Sequence, residues 1–257
     1  MRSQPGSMPG AVGRENGPGE GEGEGELVEL LVVMPVLNEA ASLAESLRAL
    51  QPLRRRGASL VVVDGGSTDG SVAIADPLAD RTLSAARGRA SQMNAGAAAQ
   101  LCRVMLFLHA DTRLPDGADE RILEAIAEGH AWGRFDVRID SDRPSLRLVG
   151  WLMNLRSRLT GIATGDQAVF MTGAAFRAAG GFPALALMED IEMSRRLKRI
   201  ARPACLRARV LTSARRWEQG GVWRTVWLMW RLRAAYSFGA DPARLARRYG
   251  HGRPEQR

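Results

Sequence analysis

The chain has 257 residues, 45% of them hydrophobic and 25% charged, with a net charge of +8; this is the make-up of one substantial globular domain with at most a small appendage. Two cysteines, Cys102 and Cys205, exclude a disulfide framework and show no metal-ligand spacing, and no run of about 18 apolar residues exists to span a membrane. Charge is unevenly placed: residues 195–257 hold 17 of the 36 basic side chains and three acids (Glu218, Asp241, Glu255), a local charge of +14 that leaves −6 for the rest.

That asymmetry predicts an anionic partner for the C-terminal part: nucleic acid, phosphates or an acidic membrane surface. An arginine-favouring genome, in which Lys198 is the sole lysine, accounts for the arginine count but not for its clustering. The cysteine usage predicts a reduced, cytosolic compartment.

Residues 1–26 are Gly, Glu and Pro with almost nothing to bury, and they lack the apolar core of a signal peptide; disorder is expected there. From Leu27 the pattern alternates between strands and helices. ELLVVMPV reads as a fully buried strand and NEAASLAESLRAL as a helix, with Leu43, Leu47 and Leu50 on one side. ASLVVVD is a second strand, STDGSVAIA opens a short helix, DRTLS is a brief third strand, and residues 87–100 are helical. CRVMLFLHAD is a fourth apolar strand, and LPDGADERILEAIAEG a helix with a proline in its first turn. Continuously apolar strands alternating with helices predict a parallel sheet covered on both faces, whose ligands bind outside the carboxyl ends of the strands. Asp64 and Asp111 both fall at that edge.

After residue 131 the pattern changes. WGRFDVRID alternates like a half-exposed strand, RPSLRLVGWLMNLRSRL is helical, and GDQAVFMTGAAF supplies another short strand and turn. MEDIEMSRRLKRI is a helix with acids at its start and bases at its end, as the helix dipole favours. PACLRARVL returns as a strand, and GGVWRTVWLMWRLRAAYSFG is a long helix.

Seven segments carry chemistry by their order and spacing: MPVLNE (34–39), VVVDGGSTDGS (61–71), RGRASQMNAGA (87–97), FLHADT (107–112), GDQAVF (165–170), MEDIEMSRRL and ARRWEQGG (214–221). Together they resemble the family 2 glycosyltransferases, inverting enzymes of GT-A fold, over roughly residues 29–220. GRASQMNAGA, HADT and GDQAVF are most similar to a small bacterial subgroup of arsenosugar-biosynthesis-type glycosyltransferases. The resemblance implies an α/β, Rossmann-like, mostly parallel sheet between helices. It also implies a transferase of hexosyltransferase type that moves a sugar from a nucleoside-diphosphate donor to a hydroxyl acceptor.

Residue by residue, the resemblance places the nucleotide among Pro35, Leu37, Glu39 and Asp64. The chemistry agrees, since a carboxylate beside a Gly-Gly turn can accept hydrogen bonds from a base or ribose, although Asp64 taken by itself reads first as a turn or helix-capping residue. Asp69 fits capping better. Arg89 matches the family's basic residue, and a guanidinium fork suits a diphosphate. HADT stands where the family carries its D-x-D motif, so His109 replaces the first carboxylate. Asp111 is left as the expected ligand of Mg²⁺ or Mn²⁺, with diphosphate oxygens completing the shell. His109 is expected to be a buried side chain packed under the nucleotide. Asp190 matches the general base of the family's Glu-Asp pair, while helix-dipole placement alone would also explain Glu189 and Asp190. Asp166 and Gln167 are expected to face the sugar or acceptor. Arg216 and Trp217 correspond to a reduced form of the Q-x-x-R-W motif of processive relatives, Arg216 to neutralise the leaving diphosphate and Trp217 to stack on a sugar or isoprenoid.

Residues 27–218 therefore form the expected transferase domain and 219–257 a basic amphipathic helical extension. In 222–236, Trp223, Trp227 and Trp230 recur at helical spacing with Arg224, Arg231 and Arg233 beside them. Two readings are open: a helix packed on the domain through its tryptophans, or one lying in an anionic membrane interface on the inner face, which would suit a lipid-linked acceptor. Two rival functions are weaker. A nucleotidyltransferase would want a Gly-rich basic loop directly after the first strand, where MPVLNEAAS stands. A nucleic-acid-binding protein would leave Asp64, Asp111 and Asp190 without a purpose, so no nucleic-acid partner is expected.

Overall fold

A computed structural model describes residues 27–251; the expectation of a disordered segment at 1–26 lies outside the described residues. In chain order, β1 (Val28–Val36) leads through α1 (Ala40–Ala49) and α2 (Gln51–Arg55) to β2 (Ser59–Asp64). Then come α3 (Ser71–Ala75), β3 (Arg81–Ser84), α4 (Arg89–Ala97), β4 (Cys102–Phe107), the short β5 (Thr112–Arg113) and α5 (Ala118–Ala127). β6 (Trp132–Asp140), α6 (Pro144–Thr160), a 3-10 turn at Gly165–Gln167, β7 (Val169–Thr172), α7 (Gly173–Ala178), α8 (Glu189–Ile200) and β8 (Ala204–Ser213) follow. Three helices end the described chain: α9 (Arg215–Gly220), α10 (Val222–Ser237) and α11 (Pro242–His251).

The eight strands form one sheet in the order β3-β2-β1-β4-β7-β6-β8-β5. β3, β2, β1 and β4 are mutually parallel; the largely apolar runs of β1, β2 and β4 are those of strands that helices cover on both faces, whereas β3 is a partly exposed strand at the sheet's edge. β1 shows the logic residue by residue. Leu30, Val32, Met34 and Val36 enter a core with Leu43 and Leu47 of α1 and Ile122 of α5, while Leu31 and Val33 enter a second core with Met93 of α4 and Leu197 of α8. α4 lies so close to the sheet that a side chain at Gly96 would stand 2.4 Å from Val33 Cγ1. Beyond β4 the sheet is mixed: β7 runs antiparallel to β4 and β6, and β8 pairs in parallel with β6 and antiparallel with β5.

Three expectations are corrected. β6 is not half exposed: Trp132 to Val137 are all buried, and its apparent polar alternation comes from Arg134, fully buried and ion-paired with Asp136, which also accepts from Arg158 Nη2 at 2.7 Å. Paired charges let a doubly covered strand carry a sequence that reads as one-sided. Pro115 lies ahead of α5 rather than in its first turn, because Gly117, in the left-handed region at φ 64°, starts the helix at Ala118. α10 does not pack through its tryptophans; Thr225 and Leu232 are its buried residues, and Trp223, Trp227 and Trp230 are exposed. Leu232 and Leu245 instead join Met188 and Ile191 of the α8 start in a small apolar cluster. Among the described residues no helix is long and apolar enough to cross a membrane.

Asp136→Ala should destabilise the protein by about 3–5 kcal/mol, since it strands Arg134 without its partner in the interior. Urea unfolding followed by far-UV circular dichroism reads this directly, and an effect below about 1 kcal/mol would mean that the buried pair has little structural weight.

Candidate active site

The carboxyl ends of β1, β2 and β4 bring the first three motifs to one edge. β1 and β2 finish in register, with Val36 opposite Asp64, and Gln92 of α4 ties them together by donating from Nε2 to Val36 O (2.7 Å) and Val63 O (2.8 Å). Asp64 is buried and builds its own turn: Gly66 N–H donates to Oδ2 at 2.9 Å and Ser67 N–H to the same oxygen at 3.0 Å. Pro35, Leu37 and Glu39 are half-buried alongside. Glu39 accepts from Arg215 Nη2 at 3.1 Å, which fastens α9 over the end of β1. Asp69 serves the backbone, accepting from Ala40 N–H (2.9 Å) at the start of α1 and from Ser71 N–H (3.1 Å).

His109 and Asp111 diverge after β4. The His109 ring turns inward, with Nδ1 3.5 Å from Asp166 Oδ1, and its Nε2–Cε1 edge abuts Gly165, where a Cβ would stand 2.2 Å from Nε2. Only glycine at 165 leaves room for that ring. Asp111 stays half-buried, with its backbone carbonyl tied to Ser213 N–H at 3.1 Å and its carboxylate in only a long, 3.5 Å contact with Thr112 Oγ1.

Asp166, Glu189 and Asp190 meet behind His109. Asp190, in the first turn of α8, accepts from Gly165 N–H (3.1 Å) and from Ile191 N–H (2.7 Å), which fixes its carboxylate. Burial pushes the Asp190 carboxyl above its usual value, and the charge of Asp166 adds to this; the two backbone donors and Arg89 oppose it. Glu189 is likewise raised, by burial and then by Asp190. Burial also acts to raise Asp166, but the His109 hydrogen bond and the charges of Arg216, His109 and Arg89 prevail and hold it well below the carboxylate range. Three neighbouring carboxylates thus have divergent proton affinities, the arrangement by which active sites separate acid–base roles.

The countercharges come from three distant segments. Arg89 opens α4 and is exposed beside the cluster. Burial works against the Arg216 cation, yet Asp166, Tyr249, Asp111 and Asp190 outweigh it, and its guanidinium lies 5.9 Å from the Tyr249 ring centre. Arg156, which the sequence reading passed over, reaches from α6 toward Asp190 and Asp166; its Nε and Nη2 are buried with no hydrogen-bond partner. Its helical setting carries no motif, and Arg143, Arg147 and Arg158 share the same stretch, so nothing in the sequence singles it out. Unsatisfied buried donors at an active-site edge fit an anionic oxygen that a ligand would bring.

Two expected site residues are elsewhere engaged. Gln167 is fully buried and its Oε1 accepts from Thr164 N–H at 3.2 Å, which shapes the 3-10 turn, while its Nε2 is buried with no hydrogen-bond partner. Trp217, expected to stack on a sugar or isoprenoid, packs on Ile139, Leu146, Val149 and Ala214. The three non-glycine residues at positive φ among the described residues are Asn38, Ala168 and Met188. Asn38 stands two residues beyond β1, Ala168 directly follows the 3-10 turn and Met188 directly precedes Glu189, a concentration of backbone strain that marks functional sites.

No three His, Cys, Asp or Glu side chains among the described residues form a metal cage. A hard divalent ion fits Asp111 all the same, because such ions are often held by one carboxylate, substrate phosphates and water.

The model of the family described as Glycosyl transferase family 2 matches residues 31–178. No curated protein matches this chain. The fold is similar to S. aureus TarS 1–349 in complex with UDP-GlcNAc (TM-score 0.60, 18% identity, 72% of this chain and 58% of that one). It is also similar to the mannosyltransferase PcManGT from Pyrobaculum calidifontis in complex with GDP-Man and Mn²⁺ (TM-score 0.57, 19% identity, 85% of this chain and 67% of that one). The chain spans 58% to 60% of the length of the TarS 1–349 chains it matches. A match over more than half of its residues, carried on a GT-A sheet with its acidic cluster at the carboxyl edge, shows that this chain belongs to glycosyl transferase family 2.

Proposed function

We propose that this protein transfers a sugar from a nucleoside-diphosphate donor to a hydroxyl acceptor by a single in-line displacement that inverts the anomeric centre. The observation that carries the reading is Asp190: a desolvated carboxylate, fixed by two backbone N–H groups, with Asp166, Glu189, Arg89, Arg156 and Arg216 around it. Raising a carboxyl toward the working pH strengthens it as a base for a hydroxyl proton. Family membership supports the sugar-transfer chemistry, and the nucleotides in the structural neighbours, UDP-GlcNAc, UDP and GDP-Man, support a nucleoside-diphosphate donor.

In this reading Pro35, Leu37, Glu39 and Asp64 border the base and ribose. Asp190 takes the acceptor's hydroxyl proton as its oxygen bonds to the anomeric carbon, and the bond from that carbon to the β-phosphate oxygen breaks to release the nucleoside diphosphate. Arg89 and Arg216 neutralise the departing diphosphate, and Arg156 supplies its free donors to an anionic oxygen that arrives with donor or acceptor. His109 holds Asp166 in place beneath Gly165. Mg²⁺ or Mn²⁺ held by Asp111 would add Lewis-acid stabilisation of the leaving group; the neighbour with Mn²⁺ supports that expectation. The likeness of GRASQMNAGA, HADT and GDQAVF supports a place in the arsenosugar-biosynthesis-type subgroup.

A nucleotide panel tests the donor site. One nucleoside diphosphate should raise the unfolding midpoint in the presence of Mn²⁺ or Mg²⁺, by about 2.7 kcal/mol of stability at 100 times its Kd. EDTA and Asp111→Ala should each abolish the metal-dependent part; a chain that no nucleotide stabilises would overturn the proposal.

Asp190→Asn should lower kcat by about 100- to 10,000-fold. A carboxyl whose folded pKa is raised contributes stability that is present at low pH and lost as pH rises through that window, so the stability of the wild type relative to Asp190→Asn should fall as pH rises above about 4. The amide has one acceptor oxygen and leaves one of the two backbone N–H groups unpaired, a cost that does not change with pH. The wild-type rate should fall on the acid side at a pH above the ordinary carboxylate range. An acid limb at the ordinary value would argue against Asp190 as the base.

Arg156→Ala should lower kcat/KM by about tenfold or more, and Arg156→Lys should recover only part of it, because a point charge does not replace a fork of donors. Equal activity in both variants would remove Arg156 from the site.

A further inference from the structure

α6 and α10 are each divided lengthwise. On α6, Leu146, Val149, Gly150 and Ser157 are buried, whereas Leu148, Trp151, Leu152, Leu155 and Leu159 are exposed at helical spacing on the opposite side. On α10, Thr225 and Leu232 are buried, whereas Trp223 (66% exposed), Trp227 (61%) and Trp230 (72%) form the outward face. The helices are neighbours: Val149 and Met153 of α6 share an apolar cluster with Val222 and Val226 of α10. Eight large apolar side chains on two adjacent helices far exceed the scattered exposure of an ordinary surface.

The charges indicate what covers them. Neither helix has an Asp or Glu. Arg156 turns inward to the acidic cluster and Arg158 pairs with Asp136, whereas Arg224 and Arg231 of α10 and Arg147 of α6, 3.7 Å from the exposed Asp142, lie at the surface beside the apolar faces. A merely solvated helix mixes its signs; the charges that these two helices themselves carry are cations alone. The exposed Arg231 guanidinium lies 4.4 Å from the Trp227 ring centre, a cation–π pair in which ring and charge share one depth. Tryptophan rings flanked by arginines are the composition of a surface seated at the headgroup level of a bilayer. The acids nearest in sequence are Asp142, ahead of α6, and Glu218, ahead of α10.

We infer that α6 and α10 together form a docking surface for an anionic lipid bilayer, lying in its interface without spanning it. α6 also sends Arg156 toward Asp190 and Asp166, and α10 directly follows the segment that carries Arg216. Docking therefore sets the catalytic edge beside the membrane. If the proposed transfer reaction is right, the hydroxyl acceptor is presented from that membrane; binding itself does not depend on that reaction.

The test is flotation of the full chain with vesicles of phosphatidylcholine, alone or mixed with phosphatidylglycerol, at low and high salt. The protein should float with the anionic vesicles at low salt, with a blue-shifted tryptophan emission, and weakly with the neutral ones. Trp223→Ala/Trp227→Ala/Trp230→Ala and, separately, Leu148→Ser/Leu152→Ser should each cut the bound fraction by about tenfold or more with unchanged far-UV circular dichroism. No binding to anionic vesicles, or binding that both variants retain, would overturn the inference. So would a tryptophan-dependent dimer in sedimentation without vesicle binding, which would make the face an interface between copies. Nucleotide-induced stabilisation serves as the separate readout of the donor site, so loss of docking and failure of the transferase reading are distinguishable.

Discussion

Crowding of like charge at one sheet edge constrains much of the remaining structure. Two unit charges about 4 Å apart interact by about 4 kcal/mol at an effective dielectric of 20, a large fraction of the stability of a domain. Asp166, Glu189 and Asp190 can share a water-poor corner only if protons or cations offset that repulsion, and here both do: Glu189 and Asp190 are shifted toward the protonated form, while Asp166 keeps its charge against His109, Arg216 and Arg89. The offset draws on α4, α6 and the segment after β8, which are remote in sequence.

This explains why the C-terminal helices belong to the architecture of the site. The family match ends at residue 178, before Glu189, Asp190 and Arg216. α10 and α11 pack on the start of α8 through Leu232 and Leu245, and Tyr236 Oη donates to Glu192 at 3.3 Å. Arg215 fastens the same region back to Glu39 at the end of β1. The segment that borders the proposed donor edge is thus also the one that holds Arg216 near Asp166, and it leads into the outward tryptophan face. Site, wall and surface are coupled through α9, α10 and α11.

The turn VVVDGGSTDGS has a structural role at a functional place. Asp64 satisfies the backbone of Gly66 and Ser67, and Asp69 satisfies Ala40 and Ser71, so both acids stabilise the loops between β2, α3 and α1. That same rigidity presents the end of β2 to the edge where Asn38 is held in a strained conformation. A turn-building Asp and a ligand-facing edge are compatible, because a carboxylate has several lone pairs and uses only some of them on its own loop.

The sequence by itself determined the alternation of elements, because apolar runs and their period depend only on local burial: β1 to β4, their helices and the carboxyl-edge position of Asp64 and Asp111 were all legible. It misled where burial was achieved by pairing rather than by apolarity, as in β6 with Arg134 and Asp136, and where direction rather than periodicity mattered, as in α10, whose tryptophans and leucines recur at the same helical spacing on opposite faces. Tertiary structure alone decided that Gln167 binds the backbone of its own turn and Trp217 packs on Ile139 and Leu146, that His109 turns to Asp166 beneath Gly165, and that Arg156 joins the acidic cluster. The physical reason is range. Strand and helix propensities act over a few residues, whereas the protonation of a buried carboxylate depends on charges that the fold brings together from more than a hundred residues apart in the chain, as it does for Arg89 and Asp190.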